Sequence, residues 1–239
     1  MTYGAGLWAV VPVKRFADAK SRLASVLGSS ERHELARRMF DDVLESLLQC
    51  SDALTGIIVV TADHEAAALG QRRGAKVVLE EEDRGVNAAV QLAIAPLHDE
   101  SDAAVLIVPS DLPQLSRATI EAAAEAISSP RSLAIAEASA DGGTNLLACR
   151  PAHAVPLHFG PNSFVRHTRA AERAGLAVRT LHMSDLQRDI DRPDDLYAFQ
   201  ALRTDTKTHQ FLSEASFRFC LTEGQQLACD GLKPLRSWS

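Results

Sequence analysis

Three acids and one run of basic residues are the parts of this sequence whose types and spacing suit chemistry. Asp189 and Asp191 in "RDIDRPDDL" are two positions apart. In an extended segment side chains alternate, so both carboxylates share one side while Ile190 takes the other. Carboxylates held together repel unless a cation or a proton lies between them. A divalent metal site is one reading of this pair. The other is helix capping before Pro193, which accounts well for Asp194 and Asp195. Asp111 follows the apolar run "VLIVPS" directly. Mg2+ takes oxygen ligands and bridges carboxylates to substrate phosphates, which suits an acid at that place. A turn aspartate in "SDLP" is the alternative. The basic run is "VVPVKRFADAKSRL", where Lys14, Arg15, Lys20 and Arg22 crowd into nine residues of a chain with formal net charge −6. Long cationic side chains neutralise a triphosphate without a glycine cradle. A solvated charged face is the competing reading, and Arg15 is the member assigned to it.

Three glycine-bearing stretches offer the remaining parts of a pocket. "DGGTNLL" supplies backbone N–H groups and the Thr144 hydroxyl. "FGPNSFVRH" places Gly160 and Ser163 where a helix begins, and helix N-termini bind anions. "DRGVNAAV" has Gly85 in a loop and Asn87 as an N-cap, with either a nucleotide base or ribose contact or an ordinary loop and cap as its role. Neither G-x-G-x-x-G nor G-x-x-x-x-G-K-[ST] follows the first apolar run, which disfavours a hydride-transfer enzyme and a P-loop kinase. The eight histidines are scattered without metal spacing, and no G-x-S-x-G elbow is present, so a triad hydrolase is disfavoured too.

The elements that must position these residues alternate along the chain. Residues 6–13, 54–62, 75–80 and 103–111 are short and nearly continuously apolar, as parallel strands covered on both faces are. Ser30 is placed to cap a helix whose Leu35, Met39, Phe40, Val43 and Leu47 fall on one face. Residues 63–73, 87–98 and 116–128 also read as helices. After Pro130, "SLAIAEAS" and "TNLLACR" suit a hairpin-like excursion, 162–174 a helix, and "LAVRTLHM" a further strand, with Pro193 opening a final helix. The pattern predicts a single α/β domain over residues 1–203: a Rossmann-like, mixed but mostly parallel sheet with helices on both faces. Ligands of such sheets bind beyond the carboxyl ends of the strands, where Lys14 and Asp111 fall. Residues 204–239 form a polar tail of unassigned role.

With 239 residues, 46% of them hydrophobic, the chain can bury a sizeable core. The acidic balance argues against a nucleic-acid partner. Cys50, Cys149, Cys220 and Cys229 are too far apart for a zinc site or a compact disulfide framework, so reduced thiols are expected. No signal peptide and no transmembrane-length apolar run are visible, so a cytoplasmic protein without a membrane partner is expected. A homo-oligomer is left open.

Taken together, "VVPVKRFADAKSRL", "DRGVNAAV", "VPSDLPQL", "DGGTNLL", "FGPNSFVRH" and "DIDRPDDL" resemble, in order, the CofC/FbiD family of guanylyltransferases. That family makes the precursor of the deazaflavin coenzyme F-420 and is similar in fold to other nucleotidyltransferases. The resemblance spans residue 8 to about 203 and stops before the tail. It implies GTP and a small phosphorylated three-carbon acid as substrates: 2-phospho-L-lactate, phosphoenolpyruvate or 3-phospho-D-glycerate. By resemblance Asp111, Asp189 and Asp191 hold Mg2+, while Thr144, Gly160 and Ser163 grip the acid's carboxylate. Lys14, Lys20 and Arg22 face the GTP phosphates, so the cations stand across a crevice from the carboxylates. Asp111, Lys14 and Lys20 are the catalytic set, with Gly85 and Asn87 on the nucleotide. A downstream deazaflavin transferase is the implied functional partner. The attacking phosphate oxygen is already ionised, so no general base is required, in keeping with the lack of a placed histidine. The rivals are a same-fold enzyme using another nucleotide or acceptor, and a catalytically silent nucleotide-binding regulator.

Overall fold

The structure, a computed structural model, describes residues 5–98, 100, 102–138, 141–186, 189–202 and 204–214. Seven strands form one sheet: β1 Gly6–Val13, β2 Gly56–Thr61, β3 Lys76–Leu79, β4 Ala103–Ile107, β5 Ser132–Glu137, β6 Thr144–Arg150 and β7 Ala177–Thr180. Their order across the sheet is β3-β2-β1-β4-β6-β5-β7. The helices are α1 Ser29–Leu48, α2 His64–Arg72, α3 Val86–Ile94, α4 Arg117–Ala126, α5 Ser163–Arg173, α6 Pro193–Gln200 and α7 Lys207–Glu214.

The continuous apolar runs become strands buried on both faces because each face has its own cover. Along β1, Leu7, Ala9, Val11 and Val13 join the core that includes Phe40, Val43, Leu44 and Leu47 of α1. The alternate residues Trp8 and Val10 join the core built with Val90 and Ala93 of α3 and Ala171 of α5. A third cluster joins Leu23, Leu35 and Met39 to Ile190, Leu196, Phe199 and Leu212. It fastens the basic run to the segment that carries Asp189 and Asp191.

The single mixed sheet expected from the sequence is present. Four details differ. The pair β5–β6 is antiparallel but is no excursion, because β6 is inserted between β4 and β5 and runs against both. This follows from its burial: Leu146, Leu147 and Ala148 are fully buried and need ladder partners on both sides. Ser30 is not the cap of α1. Gly28 holds that place in extended conformation, and the Glu31 carboxylate accepts from its N–H at 2.6 Å, so no hydroxyl is needed. Asn87 is not a cap either, since α3 begins at Val86 after Gly85, whose φ of +85° suits a residue without a side chain. Finally, the helix at Pro193 is not the last. The tail marked off at Thr204 starts with α7, which lies against α1 where Asp42 accepts from the backbone N–H groups of Lys207 and Thr208. Cys50 and Cys149 are free and buried, whereas Cys220, Cys229 and the rest of the tail lie outside the described residues. Among the described residues no helix is long and apolar enough to cross a membrane.

Candidate active site

Chain order reverses at β1: the sheet grows through β2 and β3 on one side and through β4 on the other. Such a switch point opens a crevice beyond the carboxyl ends of the two central strands. Here it is a cleft of about 360 Å3, lined by Lys14, Lys20 and Arg22 after β1, Gly85 at the start of α3, and Asp111 and Asp191.

The segment after β1 is held in place by its own backbone. Phe16 is buried, and its N–H donates to Asp63 Oδ2 at 2.8 Å. The other Asp63 oxygen caps α2. One acid at the end of β2 thus anchors both the basic loop and a helix. Lys20 then takes a left-handed conformation, φ 54°, which turns its side chain inward. That side chain is 5% exposed, and Nζ lies 2.7 Å from Asp111 Oδ2 and 3.7 Å from Asp191 Oδ1. Arg22, 66% exposed, reaches Asp191 Oδ2 at 2.6 Å from the solvent side.

The second acidic segment is pinned from two sides. Asp185 accepts from the Ser116 N–H and the Thr119 hydroxyl at the start of α4. Asn145 of β6 donates to the Leu186 carbonyl at 2.8 Å. Ile190 is 1% exposed, so the alternation expected for this segment holds: the isoleucine enters the third core cluster while its neighbours remain in contact with solvent. Asp195, in the first turn of α6, accepts from the N–H groups of Asp191 and of Arg192, the N-cap residue.

Electrostatics explains why these groups stay together. Burial by itself would lower the Lys20 ammonium, but Asp111, backed by Asp191 and Asp189, more than reverses this and holds it above its ordinary range. For Asp111 burial pushes the carboxyl up, and the Lys20 charge and hydrogen bond outweigh it, leaving the group low. Asp189 goes the other way: burial first, then the Asp111 charge, push its carboxyl up. The expected separation of cations from carboxylates across the crevice is therefore corrected. Lys20 and Arg22 pair directly with the acids, because a buried ammonium demands a counter-charge.

Among the described residues, no three acidic, histidine or cysteine side chains are drawn together closely enough to chelate an ion by themselves. Asp111, Asp189 and Asp191 are nonetheless the oxygen donors that a hard cation would take there. Asp111 and Asp191 share one ammonium, while burial and then the Asp111 charge push the third carboxyl, Asp189, upward. Oxygen donors with negative charge in excess are what a divalent ion of the magnesium type takes.

Thr144, Gly160 and Ser163 gather at a second position. Since β6 is antiparallel to β4, its first residue stands at the rim where the parallel strands end. Thr144 Oγ1 lies 2.9 Å from Ser163 Oγ and 3.1 Å from Nδ1 of the fully buried His167. Gly160 has a φ of +126° and accepts from the Ser163 N–H. Asn87 links this position to the cleft. Its amide donates to the Phe159 carbonyl at 3.0 Å and accepts from the Phe159 N–H at 2.8 Å. Both ends of its amide group are thus engaged with that backbone. Asp63 falls where the second apolar run ends, but its anchoring role, like His167 altogether, escapes sequence reasoning. Neither residue's type or spacing signals a polar partner on a distant segment.

The mixed sheet with a cleft at its switch point is a fold that solved nucleotidyltransferases share. A Desulfovibrio desulfuricans structure described as a nucleotide-diphospho-sugar transferase has the same fold, with TM-score 0.69 over 87% of this chain and 94% of that one at 18% identity. The chain belongs to the guanylyl transferase CofC-like family, which matches residues 7–230 and so continues past Arg203. It is 40% identical over 190 residues to the phosphoenolpyruvate guanylyltransferase of Roseiflexus castenholzii, covering 80% of this chain and 86% of the relative. The 3-phospho-D-glycerate guanylyltransferase of Phenylobacterium zucineum is 33% identical, covering 88% and 97%. The 2-phospho-L-lactate guanylyltransferase of Methanothermobacter thermautotrophicus is 32% identical, covering 87% and 91%.

Proposed function

We propose that this guanylyltransferase joins GMP from GTP to the phosphate of a three-carbon phospho-acid in the cytoplasm and releases pyrophosphate, a step of coenzyme F-420 biosynthesis. The convergence of Lys20, Arg22, Asp111 and Asp191 in one cleft at the switch point carries this reading. Phosphoenolpyruvate stands first among the three acids, since the 40% identical relative is named for it.

In the reaction an ionised phosphate oxygen of the acid attacks the α-phosphorus of GTP. The bond to the β-phosphate oxygen breaks, and the electron pair leaves with pyrophosphate. No proton has to be removed, so the chain's work is to bring two polyanions together and stabilise the charge that develops. Lys14 and Arg22 are exposed at the cleft and take the phosphates. Lys20, fixed by Asp111, places a positive charge deeper in the cleft. Asp111, Asp189 and Asp191 would hold Mg2+, which when bound neutralises phosphate charge. Thr144, Gly160 and Ser163 receive the carboxylate, and Gly85 and Asn87 shape the nucleotide side.

The test is incubation of the full chain with GTP, Mg2+ and each acid in turn, with the downstream deazaflavin transferase and its acceptor present as a trap. Guanylylated product by mass spectrometry, stoichiometric pyrophosphate and loss of both on chelation are expected. GTP binding without pyrophosphate from any acid would support a silent regulator, and preference for CTP would support the same-fold rival.

A further inference from the structure

We propose that His167 is a positioning residue whose ring decides whether the Thr144–Ser163 hydroxyl pair can donate to an anion. The proposal rests on the reading that this pair receives the acid's carboxylate. It begins from a group with no choice of role. The His158 backbone N–H donates to His167 Nε2 at 2.8 Å. A neutral imidazole has one bare nitrogen and one N–H, so the proton must reside on Nδ1. Nδ1 faces Thr144 Oγ1 at 3.1 Å and is therefore the donor in that contact.

The proton count then fixes the rest. Thr144 and Ser163 carry two hydroxyl protons, and one of them lies in the 2.9 Å bond between the two oxygens. With Nδ1–H donating to Thr144, the second proton is free for a third group. With a bare Nδ1, Thr144 would donate to the ring and the pair would have nothing left to offer. The orientation seen thus prepares the pair for a carboxylate or phosphate oxygen and not for a cation. The ring is kept neutral by burial, reinforced by the neighbouring His158 and Arg166 charges, which bring its pKa down to about 4. Phe159, whose ring lies edge-on at 5.0 Å between centroids, packs against it.

A purely architectural role would rest on the other nitrogen, because the same bond pins residue 158 beside the strap held by Asn87. Three substitutions separate the two. His167→Asn retains a donor near Nδ1 and loses the Nε2 acceptor. His167→Gln reaches the Nε2 place with an acceptor and loses the donor. His167→Phe loses both. We expect the KM for the phospho-acid to rise about tenfold in the Phe and Gln variants and to stay within about threefold in the Asn variant, while the KM for GTP shifts less than about twofold. A Gln variant that matches wild type while the Asn variant fails would overturn the proposal in favour of the strap, and the Asn–Gln comparison decides even where the Phe variant does not fold. Thr144→Val and Ser163→Ala are run alongside. If they raise the acid KM but no His167 variant does, the proposal alone is overturned. If they leave it unchanged, the carboxylate assignment is wrong and the proposal goes with it.

Discussion

The Nζ of Lys20 sits 2.7 Å from Asp111 and 3.7 Å from Asp191, so one buried ammonium spans acids delivered by two separate loops. Asp111→Asn removes the negative charge from the shorter contact. We expect turnover to fall by at least about two orders of magnitude. Stability should drop by roughly 1–3 kcal/mol, since the buried ammonium is left short of counter-charge in a partly open site. The double variant Lys20→Met/Asp111→Asn should regain most of the stability and none of the turnover. Thermal melts and pyrophosphate release measure the two effects separately. A near-wild-type rate in Asp111→Asn would remove this residue from the mechanism.

Arg22 presents the opposite case, an exposed cation on the same acid. Arg22→Ala should change stability by less than about 1 kcal/mol, because solvent screens the pair. Its effect belongs to substrate binding: the KM for GTP is expected to rise about three- to tenfold, and the difference from wild type to shrink as salt is added. A KM that is insensitive to both the substitution and salt would place Arg22 outside the phosphate path.

His167 makes stability depend on pH. Its pKa is lowered in the fold to about 4 by burial and then by His158 and Arg166. An unfolded histidine titrates near 6.5, so between those values the unfolded chain binds the extra proton and the folded one does not. The contribution is complete above pH 6.5 and is lost as pH falls toward 4, by up to roughly 3 kcal/mol. Urea midpoints at pH 7.5 and 4.5 should differ less in His167→Asn than in wild type. Equal differences in both would remove His167 as the source.

Asp42 tests the attachment of α7. It accepts from the N–H groups of Lys207 and Thr208 and from the Thr208 hydroxyl at 2.6 Å, all close to a buried helix face. Asp42→Ala leaves these donors unmet and should cost about 2–4 kcal/mol, with new proteolytic cleavage near residues 204–206. Asp42→Asn retains an acceptor and should cost less. An unchanged digestion pattern in the alanine variant would show that α7 is held mainly by Leu212 and its neighbours.

The sheet was legible because its signals are local. An apolar run such as "AAVLIV" demands cover on both faces whatever surrounds it, and strand ends locate the ligand edge. The alternation at Asp189, Ile190 and Asp191 was legible for the same reason. What escaped is what long-range geometry decides. Lys14, Lys20 and Arg22 look alike in sequence, yet only Lys20 is turned inward, by a backbone conformation that no residue type announces. Its pairing with Asp111 joins segments far apart along the chain, so the sequence suggested facing charges where the fold makes contacts. Ser30 and Asn87 had the right residue type for caps, but Gly28 with Glu31, and Gly85, filled those places first. His167 gave no sign of its role, because its partners come from a strand and a loop that meet it only in three dimensions.

The reversed direction of β6 makes the two halves of the rim separable. Loops after β1 and β4 leave strands that point toward the cleft, whereas Thr144 opens a strand that runs away from it. The Thr144 end of the rim is tied instead to the start of α5, where the Asn162 and Phe164 N–H groups donate to the Asp141 and Gly142 carbonyls. Substitutions at that end therefore act through β6 and α5 together, while the loop after β1 keeps its own anchor on Asp63.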